Sequence, residues 1–128
     1  MPTDLVIRVP NEPGALAAVA AAVSDAGVNL AAATCTGPGE SADLHILVKH
    51  AEAAKHALGI SGLVVTNEQE VVVVETDDRP GALADLARKV AKAGVNLDLV
   101  YVATGTRIVF GSPDIEALRA ALGVAATV

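Results

Sequence analysis

From Asp4 to Val9 the chain alternates, with Leu5, Ile7 and Val9 pointing one way and Val6 and Arg8 the other. A period of two predicts a strand covered on one face. The turn Pro10-Asn11-Glu12-Pro13-Gly14 follows, and the period changes to that of a helix running to about Ala26. Leu16, Val19, Val23 and Ala26 form its apolar stripe, and Gly27 is its natural stop. Residues 28–36 predict a second strand, Gly37 to Ser41 a hairpin loop, and Leu44, Ile46 and Val48 the buried face of a third strand. A short helix from Ala51 to Leu58, ended by Gly59, and a strand over 62–67 complete the order strand, helix, strand, strand, helix, strand.

The pattern then begins again. Residues 71–76 predict a strand, and Asp77-Asp78-Arg79-Pro80-Gly81 the turn. The next helix carries Leu83, Leu86, Val90 and Ala93 as its stripe and stops at Gly94. Strands over 96–103 and 106–110 are joined by the short loop Thr104-Gly105. Ser112 and Pro113 predict an N-cap and a first helical position for a helix with Ile115, Leu118 and Leu122 inside, ending at Gly123. Residues 124–128 remain for a last, short strand. The echo extends to identity: PGALAAVAAAVSDAGVNL, Pro13 to Leu30, matches PGALADLARKVAKAGVNL, Pro80 to Leu97, at twelve of eighteen positions without a gap. A match of that length at an offset of 67 residues reads as an internal duplication. Between the terminal glycines 59 and 123 the offset falls to 64, the consequence of the shorter second hairpin.

These elements predict an α+β chain of two tandem ferredoxin-like βαββαβ units, residues 1–67 and 68–128, each an antiparallel sheet with both helices on one face. The Val71–Val74 run is apolar on both faces, so its second face is expected to be covered by the other repeat or another subunit.

Composition narrows the function. Alanine supplies 26 of 128 residues, and there is one Phe, one Tyr and no Trp, so the core must be built from Val, Leu and Ile over closely approaching Ala-rich helices. A core of this kind favours a shared interface, and a homodimer is expected. The net charge is −6 with nine scattered basic residues, which argues against a nucleic-acid partner. The longest apolar stretch, Ala15 to Val23, has nine residues, far short of a membrane span. The N-terminus, broken by Asp4 and Arg8, does not read as a signal peptide, and a cytoplasmic protein is expected. Cys35 is expected to be a small core residue; the three histidines have no ligand spacing, so no metal is called. Gly37-Pro38-Gly39 joins two strands and opens no helix, unlike a dinucleotide fingerprint. Adjacent Asp77 and Asp78 in a turn do not make an acid–base pair. No catalytic constellation and no cofactor are expected.

Asn-Glu-Pro-Gly-Ala-Leu with Gly-Val-Asn-Leu, and Asp-Asp-Arg-Pro-Gly-Ala-Leu with the same Gly-Val-Asn-Leu, resemble the ACT domain, a small amino-acid-sensing module attached to biosynthetic enzymes. The resemblance covers nearly the whole chain as two copies. It implies side-by-side pairing into an eight-stranded sheet with effectors bound at the seam. Carried over position by position, it implicates Asn11, Gly14, Ala15, Leu16 and Asn29 in the first copy, and Asp78, Gly81, Ala82, Leu83 and Asn96 in the second.

The residues suit an amino-acid ligand on their own chemistry. Backbone N–H groups at a helix start favour a carboxylate, glycine admits close approach, and an Asn side chain offers a donor and an acceptor. Pro-Gly before a helix and Gly after it are also ordinary helix punctuation, and an Asn after Gly-Val can serve its own turn. Asn11-Glu12 becomes Asp78-Arg79 in the second copy; because Asp78 disfavours a carboxylate, the first copy is expected to be closer to the effector-binding type. The expectation is a non-catalytic regulatory protein that binds an amino acid or similar metabolite and acts on a partner enzyme or regulator. A protein-interaction module whose ligand sites have been lost is the alternative, and an enzyme built on the same sheet a third.

Overall fold

The computed structural model describes residues 2–124. The chain falls into two compact units, Pro2–Gln69 and the segment from Glu70 onward. In the first unit the order is β1 (Thr3–Pro10), α1 (Ala15–Asp25), β2 (Ala32–Thr36), β3 (Ser41–Val48), α2 (Ala51–Ile60) and β4 (Val64–Glu70, ending at the boundary). The second runs β5 (Val72–Glu75), α3 (Ala82–Lys92), β6 (Leu99–Ala103), β7 (Arg107–Gly111) and α4 (Ile115–Leu122). Strand orders are β2-β3-β1-β4 and β5-β7-β6. β3 pairs antiparallel with β1 and β2, and β7 with β5 and β6. This is the ferredoxin-like α+β arrangement. The final strand expected over 124–128 lies, but for Val124, outside the described residues.

Each core follows from the strand alternation. Leu5, Ile7 and Val9 of β1 and Leu44, Ile46 and Val48 of β3 meet Val19 and Val23 of α1 and Ala54 and Leu58 of α2. Both helices therefore cover the same face. Val72, Ile108 and Phe110 meet Val90 of α3 and Leu118 and Leu122 of α4 in the second unit. Each fully buried aliphatic side chain contributes roughly 1.5–3 kcal/mol relative to exposure.

Several local expectations are corrected. The opposite face of β1 is not open: Asp4 and Val6 are buried, and the Asp4 carboxylate meets His45 Nδ1 at 2.9 Å. Val71 and Val72 are both buried, although the strand starts only at Val72. Cys35 is exposed on β2 rather than in the core, because it alternates with Thr34 and Thr36 on a strand that ends its sheet. α2 continues through Gly59 to Ile60, and the positive backbone angle that follows falls at Gly62. The cap of α4 is Asp114, whose carboxylate accepts from Ala117 N at 3.1 Å, while Ser112 Oγ accepts from Asp114 N.

Candidate functional site

Both repeated turns end in a left-handed glycine. Gly14 has φ 90° and Gly81 has φ 88°, and each is the N-cap of its helix. A glycine supplies no capping side chain, and neither helix start receives a side-chain cap bond. The N–H groups of Ala15 and Ala82 donate back to Glu12 O and Arg79 O, both at 3.3 Å, so only the N–H groups that follow them in the first turns of α1 and α3 are left for solvent or for a ligand. No atom lies within 4 Å of a Cβ built on Gly14, so backbone conformation alone demands glycine there.

The residues around the two turns are arranged differently. In the first unit, β1 and β3 pair as far as Pro10 with Ser41, and Asn11 N then donates to Glu40 O at 2.9 Å. The Asn11 side chain continues the closure: Nδ2 donates to Gly37 O at 2.6 Å and Gly39 O at 2.8 Å. The hairpin loop is thereby tied onto the turn. In the second unit β5 and β7 pair only as far as Glu75 with Arg107, the counterparts of Arg8 and Asp43. One further bond, Thr76 N to Thr106 O at 3.1 Å, ends the ladder. The shorter hairpin stops before it reaches Asp78, which stands where the first copy has Asn11. An ionised Asp has no N–H with which to hold a carbonyl.

A cavity of about 170 Å³ opens at this second turn, walled by residues 76–79, Ala82 and Leu83 at the start of α3, Val102 on β6, and residues 106–108. The contrast between Asn11 and Asp78 favours the first copy in the sequence, whereas this cavity lies at the second. Of the second copy's candidates, Asp78, Ala82 and Leu83 line it, Gly81 shapes the turn beside it, and Asn96 is not among its walls. Asn29 and Asn96 are exposed, each three residues ahead of its strand rather than within it: β2 starts at Ala32 and β6 at Leu99. Among the described residues neither side chain has a hydrogen-bond partner. In the first copy Asn11 is engaged with the hairpin, Ala15 is half-buried and Leu16 is exposed.

Charge around the cavity is mixed. Arg79 Nη2 donates to Asp85 at 2.8 Å, its Nη1 reaches Pro80 O, and its Nε lies 3.8 Å from Asp77. The hydrogen bond to Asp85 raises the pKa of Arg79, and the same bond lowers that of Asp85, which also accepts from Arg88 at 2.9 Å. Arg107 is anchored on its own hairpin, Nε to Thr104 O and Nη2 to Thr104 Oγ1, both at 2.7 Å. Arg107 and Val102 were not singled out from the sequence. The one available signal was the 67-to-64 change of offset, which locates the shortened loop between them. Among the described residues no cluster of three or more His, Cys, Asp or Glu could hold a metal ion, and no helix is long and apolar enough to cross a membrane.

The family model of the ACT domain matches residues 3–58. Among solved structures, protein BT0572 from Bacteroides thetaiotaomicron is similar, with a TM-score of 0.83 and 23% identity over 94% of this chain and 85% of that one. The ligand-free regulatory subunit of aspartate kinase from Thermus thermophilus aligns with a TM-score of 0.67 and 20% identity, over 95% of this chain and 89% of that one. Aspartate kinase from Synechocystis aligns over 99% of this chain but 26% of its own length, with a TM-score of 0.65 and 17% identity. No curated protein matches the chain. At these identities the structural likeness establishes the fold.

Proposed function

We propose that the chain is a tandem pair of ACT-type domains, residues 1–67 and 68–128, acting as a non-catalytic regulatory protein. Its effector is a small molecule of the amino-acid class, its state a cytoplasmic homodimer, and its target a partner enzyme or regulator. The observation that carries the reading is the cavity at the start of α3, a helix with no side-chain cap, where Asp78 and Arg107 line one space together with apolar residues. An α-amino acid offers an anion, a cation and a carbon chain to such a space. The ACT match over residues 3–58 supports the same class for the first copy. Asn29 and Asn96 belong to the proposal as free amides ahead of two sheet-end strands, where a seam with a second subunit would meet them.

Regulation then follows from differential affinity: an effector shifts an arrangement of domains only as far as it binds one arrangement better than another. A thermal-shift panel of the twenty amino acids and several nucleotides tests the reading. An effector at one hundred times its dissociation constant adds about 2.7 kcal/mol, on the order of ten degrees for a chain of this size. No shift from any amino acid at millimolar concentration would favour the alternative, an interaction module without ligands. One observation favours that alternative for the first copy: Asn11's amide is already bonded to the hairpin.

A further inference from the structure

We propose that the effector binds in the second copy alone, one per chain, and is an α-amino acid with a short, uncharged aliphatic side chain. The inference rests on the amino-acid reading above and assigns it to one of two outwardly similar sites. The two sites differ position by position. Asp78, a wall of the second cavity, has no hydrogen-bond or ion-pair partner among the described residues, so its carboxylate is available to an ammonium group. Its counterpart Asn11 is neutral and holds two carbonyls. Arg107 uses Nε and Nη2 on Thr104, which leaves Nη1 without a partner among the described residues and fixes the guanidinium on the hairpin. Its counterpart is Asp43, which is ion-paired with Arg8 at 3.2 Å. The sign is therefore reversed where a ligand carboxylate would find its cation. Arg79, beside Asp78, is occupied by Asp85, so it does not neutralise Asp78.

The remaining walls set the side chain. Ala82, Leu83, Val102 and Ile108 are apolar, and Leu83 and Val102 are 44% and 69% exposed, so filling this space removes apolar surface from water. A cavity of about 170 Å³ compares with the roughly 150 Å³ cavity that accepts benzene, and with about 30 Å³ for a single water. It has room for the amino-acid head and three or four further carbons. The other charged walls, Asp77 and Arg79, lie 3.8 Å from each other and Arg79 is held by Asp85, so a charged side chain would have to compete with those pairs for a partner. An indole or phenol ring would extend beyond these walls into solvent, where it gains no further burial.

Isothermal calorimetry on the full chain with L-valine as the probe tests this. L-aspartate, L-lysine and L-tryptophan test the side chain; isobutylamine, without the carboxylate, and isovalerate, without the ammonium, test the head. The expected result is one L-valine per chain and binding of both truncated analogues weakened at least tenfold, because hydrogen bonds to charged groups are the strong ones. Asp78→Asn and Val102→Phe should each weaken L-valine at least tenfold with an unchanged circular-dichroism spectrum. Asn11→Asp should leave its affinity unchanged. Two L-valines per chain would overturn the assignment while leaving the amino-acid reading intact. So would preference for a charged or aromatic amino acid, or binding insensitive to Asp78→Asn and lost with Asn29→Ala. Absence of binding by every amino acid tried would remove both.

Discussion

Gly81 and Asp85 show how much of the second turn is fixed by individual residues. At φ 88° an L side chain is strained whatever space surrounds it, and the nearest atom to an added Cβ, Arg79 Nη1, is 3.6 Å away. The penalty in Gly81→Ala is therefore conformational, about 1–2 kcal/mol for a left-handed residue, and urea denaturation should show it as a lowered midpoint with an unchanged slope. Asp85 responds to pH. Its pKa is lowered first by the hydrogen bond from Arg79, so its contribution is present above the unfolded carboxylate value, about 3.9, and is lost as pH falls through the lower folded value. Both groups are at the surface, and salt weakens their attraction. Arg79→Ala should accordingly lower the urea midpoint at pH 7 in low salt, and the difference should shrink both in 1 M salt and as the pH approaches 3. A difference that is the same at both pH values would show that Arg79 acts through packing instead.

The elements take their places from buried stripes, and two substitutions measure that directly. Leu44 on β3 and Leu118 on α4 are 1% and 0% exposed, each inside the core of its own unit. Truncation to alanine removes the side chain and leaves a cavity, so each should destabilise the protein by about 2–5 kcal/mol, read by chemical denaturation with circular dichroism. The strand stripes were legible in the sequence because a period of two reports burial directly, but the helix stripes only in part: Val19, Val23 and Val90 are buried, whereas Leu16, Ala26, Leu83 and Ala93 are exposed. Strand starts were less legible. Val28 and Leu30 pack against the core, so their apolar character resembles strand, yet the assigned β2 begins only at Ala32 after Ala31 N donates to Leu47 O. The same shift recurs in the second copy, moving Asn96 ahead of β6. The shortened second hairpin was visible as a three-residue change in offset. Its consequence was not, because that depends on where the Asn11 amide goes, and a residue name does not state its partner. Asp78 was identified as the point of difference between the copies, but its charge was read in isolation. Arg107 on the facing hairpin lines the same cavity, so the proposed site offers a zwitterion a basic group as well as an acidic one.

For the whole molecule the outstanding structural demand is at the sheet ends. β6 ends the β5-β7-β6 order, and among the described residues it has one strand neighbour, so one row of its N–H and C=O groups is not in a ladder. Soluble proteins usually blunt such an edge with lysine, proline or a bulge. The β6 sequence, LVYVA, has no lysine and no proline, and it exposes Val100 by 42% and Val102 by 69%. β2, which ends the other sheet, is equally uncharged but carries only small side chains, AATCT. A two-fold contact between β6 strands would pair the open row and bury both valines, and such isologous contacts are the commonest in soluble oligomers. The proposed homodimer is therefore expected to form through β6. Sedimentation should give twice the 12.8 kDa chain mass at micromolar concentration, and the double substitution Val100→Lys with Val102→Lys should return the monomer with its secondary structure intact. A wild-type chain that sediments as a monomer at tens of micromolar would remove the homodimer from the proposal. A dimer that survives both lysines would place its interface elsewhere. Because Val102 also walls the cavity, an effector that favours the dimer should tighten association in proportion to its occupancy, and dimerisation should raise effector affinity by the same factor. Measuring the dimer dissociation constant with and without saturating L-valine checks that reciprocity: equal values would separate the cavity from the subunit contact.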